Sequence, residues 1–114
     1  SNEAKHDMLG VPLDLIAAHG AVSREVALAM AAGALAHSRA GIAVSVTGIA
    51  GPGGGSQAKP VGLVWFGLAL EKNPPIAISR TFPDEGRAAI RLAAVRTALD
   101  LVLDALSKRS LFCL

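Results

Sequence analysis

Residues 42–70 read Ile42-Ala-Val-Ser-Val46, Thr47-Gly-Ile-Ala-Gly-Pro-Gly-Gly-Gly-Ser-Gln-Ala-Lys-Pro60 and Val61-Gly-Leu-Val-Trp-Phe-Gly-Leu-Ala-Leu70. The first and third parts are short apolar runs, which predicts two buried strands. A hairpin turn usually needs only about two to five residues, and the middle part is far longer. We therefore predict that this loop binds a ligand, and a plain flexible hairpin connection remains the alternative.

The composition of the loop favours an anionic ligand. Its glycines can adopt positive φ and bring backbone N–H groups close to a bound group, as in the nests that hold phosphates and carboxylates. Thr47 and Ser56 add hydroxyl groups, and Lys59 adds a positive charge. The loop contains no Gly-Lys-Ser/Thr tripeptide and leads into a strand, so it is neither a P-loop nor a dinucleotide-binding turn.

The rest of the chain predicts an α/β fold. Short helices are expected at residues 2–9 and about 12–18, and Ser23 is a good N-cap for a third helix that ends near residue 38. An outer strand is expected at 76–82, followed by a final helix at about 85–107 with Asp84 as its cap. The residues expected on the apolar face of that helix are Ile90, Ala94, Val95, Ala98, Leu101, Val102 and Leu106.

Together these elements predict a single domain over residues 1–114, a three-layer α/β/α sandwich with a mixed β-sheet. Three strands are few for so much apolar helix surface. The beginning at Ser1 also reads like the middle of an element. We therefore expect an N-terminal strand and helix upstream of Ser1.

Composition excludes several classes of partner. The net charge is +2, the basic residues are scattered and only 4% of residues are aromatic, so we expect no direct nucleic-acid binding. No apolar run is long enough to span a membrane. A single cysteine, Cys113, excludes a disulfide within one chain and favours a reducing, cytoplasmic setting. His6, His19 and His37 lack acidic or cysteine neighbours at ligand spacing, so we expect no metal and no cofactor.

Two further features could carry chemistry. Lys5, beside an Asn and a Glu near a helix start, could act as a general base if it is buried; the alternative is a solvated surface lysine. Arg87 and Arg91 lie four residues apart and share a helix face. They could clamp a phosphate or carboxylate, or they could belong to an exposed charged face with Asp84 nearby.

Four segments resemble a known family: Ser1-Asn-Glu-Ala-Lys-His6 with Leu9-Gly-Val11, His19 to Ala27, Val46 to Pro52 with Gly54-Gly55, and Lys59-Pro-Val-Gly62. In this order they resemble the C-terminal domain of the competence/damage-inducible protein CinA, also found alone as nicotinamide-nucleotide amidohydrolase. The resemblance covers essentially the whole chain.

The resemblance implies a metal-free serine/lysine amidohydrolase that converts nicotinamide mononucleotide to nicotinate mononucleotide and ammonia. Lys5 matches the lysine that deprotonates the nucleophilic serine and later protonates the leaving ammonia. The loop matches the active-site loop, where ribose and phosphate contacts are expected. The residues implied to bind substrate are Asn2, Thr47, Gly48, Gly51, Gly54, Gly55, Ser56, Lys59 and Arg87.

The sequence departs from the family at one point. In the family, the nucleophilic serine belongs to a Glu-Ser-Cys-Thr-Gly-Gly segment ahead of the lysine motif, and residues 1–114 do not contain that segment. Ser1 matches a different serine of the family, which is not the nucleophile. We expect residues 1–114 not to hydrolyse the amide alone, and either a longer gene product or a degenerate copy would account for this. The alternatives are an inactive nucleotide-binding or oligomerisation module associated with the competence and DNA-damage response. We also expect a homo-oligomer, and fusion to an N-terminal CinA domain stays open.

Overall fold

A computed structural model of the chain describes residues 2–112, apart from the side chains of residues 4, 8 and 109–112. Ser1 and Cys113 lie outside the described residues. The elements are, in chain order, α1 (Asn2–Leu9), α2 (Leu13–His19), α3 (Arg24–Ala36), β1 (Ile42–Gly48), β2 (Leu63–Leu70), β3 (Ile76–Thr81) and α4 (Arg87–Phe112).

The three strands form an antiparallel sheet in the order β1-β2-β3. Val46 of β1 lies opposite Phe66 of β2, and Thr47 lies opposite Trp65. Because neighbouring residues of a strand point to opposite faces, these two pairs divide the sheet into two sides. The side of Val46 carries α4, and the side of Thr47 carries α3.

The α3 side is held by close backbone packing. Gly67 lies so near the carbonyl of Ala27 that a Cβ on the glycine would collide with that oxygen. Beside it, the buried Ser45 hydroxyl donates to Ala27 O at 2.7 Å and accepts from Gly67 N at 3.1 Å. The small residues therefore allow α3 to lie directly on the sheet, and one hydroxyl satisfies two backbone groups there.

The α4 side contains the larger core. Val64 and Phe66 of β2 pack against Ile90, Ala94 and Ala98 of α4, and all five side chains are buried. The Phe66 and Phe82 rings meet edge to face with centroids 6.5 Å apart. A separate apolar cluster of Val11, Ile16 and Val26 joins the N-terminal helices to α3. The three-layer α/β arrangement predicted from the sequence is confirmed.

The parallel pairing that would make the sheet mixed depends on the strand expected ahead of Ser1, so that part stays a prediction. Ser23 caps α3 as predicted, since its Oγ accepts from Val26 N at 3.3 Å. The predicted start of α4 was wrong. The helix begins at Arg87, and Ile90 N bonds to Gly86 O, so the capping position belongs to Gly86 and not to Asp84.

The predicted apolar face of α4 was partly wrong. Ile90, Ala94 and Ala98 are buried as expected, but Val95 is 55% exposed and Leu106 is 41% exposed. The helix is apolar around most of its circumference, so its sequence pattern does not show which apolar side faces the sheet. None of the helices in the described part of the chain is long and apolar enough to cross a membrane.

Candidate functional site

The glycine-rich loop begins where β1 ends and continues the hairpin for one more pair. Ile49 N donates to Leu63 O at 2.9 Å, and Gly62 N donates to Ile49 O at 2.8 Å. Beyond these bonds the chain turns away from the sheet at Gly51, where φ is +80° and the peptide bond to Pro52 is cis. The loop is therefore anchored at its base, and its exposed segment runs from Pro52 to Ala58.

An open cavity of about 240 Å³ lies at this base, on the α4 side of the sheet. Arg87 and Arg91 line it, together with Gly48 at the end of β1. The Arg87 guanidinium donates through Nη1 to Gly51 O at 2.9 Å, which ties the start of α4 to the loop. The apolar residues that complete the lining are Val46, Ala50, Val64, Ile90 and Ala94.

Unpaired backbone donors follow in the loop. Among the described residues, the N–H groups of residues 50, 51 and 53–55 have no hydrogen-bond partner. Gly51 and Gly54 have positive φ, which non-glycine residues rarely adopt. Adjacent free N–H groups in such a turn attract anions. The cavity thus combines fixed positive charge with an apolar wall, and the loop that leads out of it carries free donors, which suits an anion attached to a carbon framework.

The other end of the loop belongs to the opposite side of the sheet. Ser56 N donates to Lys59 O at 2.9 Å, and the Lys59 ammonium donates to His19 O, the last residue of α2, at 2.7 Å. Lys59 thereby satisfies a carbonyl at a helix C-terminus, where a positive charge is favourable. A second cavity of about 520 Å³ lies here, lined by His19, Val22, Ser23, Arg24, Glu25, Ala58, Lys59, Leu63 and Trp65.

Thr47 is placed differently from the expectation that it opens the loop. It lies within β1, is 7% exposed, and donates through Oγ1 to Ala21 O at 2.9 Å. Its hydroxyl points toward the α3 side and away from the arginines. The structure therefore separates the predicted loop residues into an arginine group, with Gly48 and Gly51, and an α2-α3 group, with Thr47 and Lys59.

Lys5 and Asn2 lie on α1, which packs against α2 and α3. Lys5 is half-buried, its side chain makes no hydrogen bond or ion pair with the described residues, and it lines neither of the two cavities. Asn2 is exposed. The structure does not bring the predicted catalytic lysine to the arginine cavity, because α1 and α4 lie in different layers.

The described serines that lie in the core already have structural partners. Ser23 Oγ donates to Gly20 O at 2.8 Å while it caps α3, and Ser45 is bound on both sides within the α3 layer. Residues 2–112 also contain no group of three His, Cys, Asp or Glu side chains that could hold a metal ion.

A model of the CinA C-terminal domain matches residues 1–106. The chain belongs to the CinA C-terminal domain family. Among solved structures, the competence/damage inducible protein CihA from Agrobacterium tumefaciens is 52% identical. Its fold superposes with a TM-score of 0.88, over 91% of this chain and 63% of that one.

Two curated CinA-family relatives carry different descriptions. A CinA-like protein of Mycolicibacterium gilvum is 51% identical over 107 residues, which is 94% of this chain and 25% of the relative. The nicotinamide-nucleotide amidohydrolase PncC of Escherichia coli K12 is 50% identical over 99 residues, which is 87% of this chain and 59% of the relative. This chain therefore spans about a quarter of the first relative and less than two thirds of the second.

Sequence reasoning found the arginine pair but missed what surrounds it. The i, i+4 spacing of Arg87 and Arg91 predicted their common face, and the cavity confirms that they lie together. The role of Ile90 and Ala94 as cavity wall was missed. Trp65 was also missed as a lining residue of the second cavity. Its place between Val64 and Phe66 was the available signal, because neighbouring residues of a strand point to opposite faces.

Proposed function

We propose that this chain carries the phosphate- and ribose-binding part of a module that hydrolyses the carboxamide of nicotinamide mononucleotide. The observation that supports this most directly is the cavity that Arg87 and Arg91 line at the base of the loop, whose following residues carry unpaired N–H groups. Arginine and backbone N–H groups are the donors that proteins use for phosphate. The relative named nicotinamide-nucleotide amidohydrolase supports the identity of the nucleotide.

The size of the cavity limits what it can hold. Pockets that enclose a whole small ligand measure about 300–1,000 Å³, and this one measures about 240 Å³ and is open. We therefore assign it the phosphate and part of the ribose. The nicotinamide ring would extend beyond it, and the group that attacks the carboxamide would have to lie on that side.

Lys5 is proposed as the proton-transfer residue, since it matches the family's lysine and its ammonium has no partner among the described residues. Because α1 and α4 lie in different layers, this role requires the nicotinamide ring to extend from the arginine cavity past the sheet toward α1. It would take the proton of a serine nucleophile and return it to the leaving ammonia. Because the described buried serines are held in the α3 layer, none is available to Lys5. The alternative, an inactive nucleotide-binding module, is supported by the same lack of a serine available to Lys5. For both alternatives, we propose the cytoplasmic location that the single cysteine favours.

Binding and turnover by residues 1–114 test the proposal separately. We expect nicotinamide mononucleotide to bind in calorimetry, with no release of ammonia. Arg91→Ala should weaken binding about tenfold, since a charge-assisted hydrogen bond contributes about 1.5–3 kcal/mol before solvent screening. Nicotinamide riboside, which lacks the phosphate, should bind wild type and Arg91→Ala alike.

Arg80→Ala is the matched control, because Arg80 is exposed on β3 and its guanidinium bonds only to the neighbouring Ser79 O. This variant should bind like wild type. Equal binding by Arg91→Ala and wild type would remove the phosphate assignment. Ammonia release that Lys5→Ala abolishes would show that this chain already contains its nucleophile.

A further inference from the structure

The second cavity, which the proposed nucleotide site does not use, lies on the α3 side of the sheet. Its volume is about 520 Å³, against about 240 Å³ for the arginine cavity. Pockets that hold a whole small ligand measure about 300–1,000 Å³. Three segments form its walls, namely the α2–α3 junction, the end of the loop and the start of β2. The fold therefore builds this cavity from parts of the chain that are distant in sequence.

One wall of the second cavity is aromatic. Trp65, the single tryptophan of the chain, is half-buried and lies opposite Thr47 on the α3 side of β2. Leu63 lines the cavity too, and it faces the same side because it is two residues away on the same strand. An indole ring beside an aliphatic side chain suits a flat ring, which packs against the indole by offset stacking or edge to face.

Two positive charges line the same cavity. The Lys59 ammonium donates to His19 O at 2.7 Å, and it lies where a side chain at Gly20 would place its Cβ, which would be 2.9 Å from Nζ. This bond holds the charge at the cavity, and the ammonium makes no second bond within the described part of the chain. Arg24 is exposed, and its side chain has no hydrogen bond or ion pair with the described residues.

The acidic residue of the lining is already paired. Glu25 Oε2 lies 3.8 Å from His19 Nδ1, and both residues line the cavity. The lining therefore carries one negative charge against the two positive charges of Lys59 and Arg24. An excess of positive charge beside an aromatic wall favours a planar anion over a neutral ring of the same shape.

The apolar surface that the described residues leave uncovered lies mainly on the other side of the sheet. Leu13 of α2 is the exposed large apolar side chain on the α3 side. The strand and helix expected upstream of Ser1 would therefore find their apolar contacts on the α4 side and not over the second cavity. The exposed large apolar residues of α4 and of the sheet face that α4 covers are Val46, Ile76, Leu92, Val95, Leu99, Leu103 and Leu106.

We propose that the second cavity binds a planar aromatic carboxylate, with its ring against Trp65 and its carboxylate on the Lys59 ammonium. The unpaired Arg24 guanidinium adds to the attraction of the anion. The two cavities open on opposite sides of the sheet. This site is therefore separate from the proposed nucleotide site, and either proposal can fail without the other.

Trp65 fluorescence reports binding directly, because residues 1–114 contain no other tryptophan and no tyrosine. Benzoate should quench it saturably with a dissociation constant of about 1 mM, and calorimetry should give the same value. Benzamide keeps the ring without the charge, and cyclohexanecarboxylate keeps the charge without the aromatic face. Each should bind at least about fivefold more weakly than benzoate, since each lacks one of the two contacts.

Lys59→Met should raise the dissociation constant of benzoate about fivefold, since it removes a charge-assisted hydrogen bond that solvent partly screens. It should leave the affinity for benzamide unchanged. The matched control is Lys72→Met, which removes an ammonium from the exposed turn between β2 and β3. This variant should bind benzoate like wild type, and circular dichroism should show both variants folded.

Four results would overturn the proposal. The first is the absence of saturable quenching up to about 10 mM benzoate. The second is equal affinity for benzoate and benzamide, and the third is equal affinity of wild type and Lys59→Met for benzoate. The fourth is a longer form of the protein in which benzoate no longer reaches Trp65.

Discussion

At the scale of single residues, small side chains decide how closely the layers approach. Gly67 and Ser45 let the backbone of α3 lie against the sheet, and the Ser45 hydroxyl bridges Ala27 O and Gly67 N. Gly53 makes a useful contrast, because an added Cβ there meets nothing within 4 Å. The same type of residue thus has a packing role at position 67 and none at position 53.

This contrast predicts the outcome of two identical substitutions. Gly67→Ala should lower the free energy of unfolding by about 1–3 kcal/mol or more, since the new methyl group collides with Ala27 O and α3 must shift. Gly53→Ala should change it by no more than about 0.5 kcal/mol. Urea unfolding of the two variants checks this. Equal stability of both would mean that α3 is not packed on Gly67.

At the scale of elements, α1 is held to α3 at one close crossing. Gly33 of α3 faces the carbonyl of Leu9, the last residue of α1, with no room for a Cβ. Leu9 also packs against the apolar cluster of Val11, Ile16 and Val26. The position of Lys5, which α1 carries, therefore depends on a glycine in another helix.

Gly33→Ala should displace α1 from α3, because the new methyl group collides with Leu9 O. The helix α3 should remain intact, because alanine is favoured over glycine in a helix interior by about 1 kcal/mol. Hydrogen exchange measures this by residue. We expect faster exchange in residues 6–9 and unchanged exchange in the buried part of α3. Ala32→Ser, at the exposed neighbouring position, is the control and should leave α1 protected. Unchanged protection of α1 in Gly33→Ala would contradict the crossing.

At the scale of the whole molecule, the loop joins two sides of the sheet. Arg87 holds its start through Gly51 O on the α4 side, and Lys59 holds its end through His19 O on the α2 side. A residue can therefore belong to the predicted loop motif without belonging to the arginine cavity. On this basis the arginine cavity and the lysine contact should respond differently to substitution.

Lys59→Met, which keeps the aliphatic stem and removes the ammonium, should alter affinity for nicotinamide mononucleotide less than about twofold. It should lower stability by no more than about 1 kcal/mol, the net contribution of an ordinary hydrogen bond. Calorimetric titration beside Arg91→Ala makes the comparison. If Lys59→Met lowers the affinity as much as Arg91→Ala does, this prediction is wrong and Lys59 contacts the phosphate.

The sequence by itself determined the elements, their order and the family. The apolar runs around residues 42–70 predicted the two central strands, Ser23 predicted the start of α3, and the motif order predicted the CinA C-terminal domain. These features are local, since propensity, capping and motif spacing act over a few residues. For the same reason the spacing of Arg87 and Arg91 was enough to predict that they share a face.

Only the tertiary structure decided which side of the sheet each residue occupies. Thr47 and Val46 are neighbours in sequence but face different layers, and Lys59 reaches α2 while Gly51 contacts α4. The sequence did not decide the orientation of α4, because a helix that is apolar around most of its circumference offers several faces to a sheet. Packing of Ile90 against Val64 and Phe66 selects one of these faces and leaves Leu92, Val95 and Leu99 exposed.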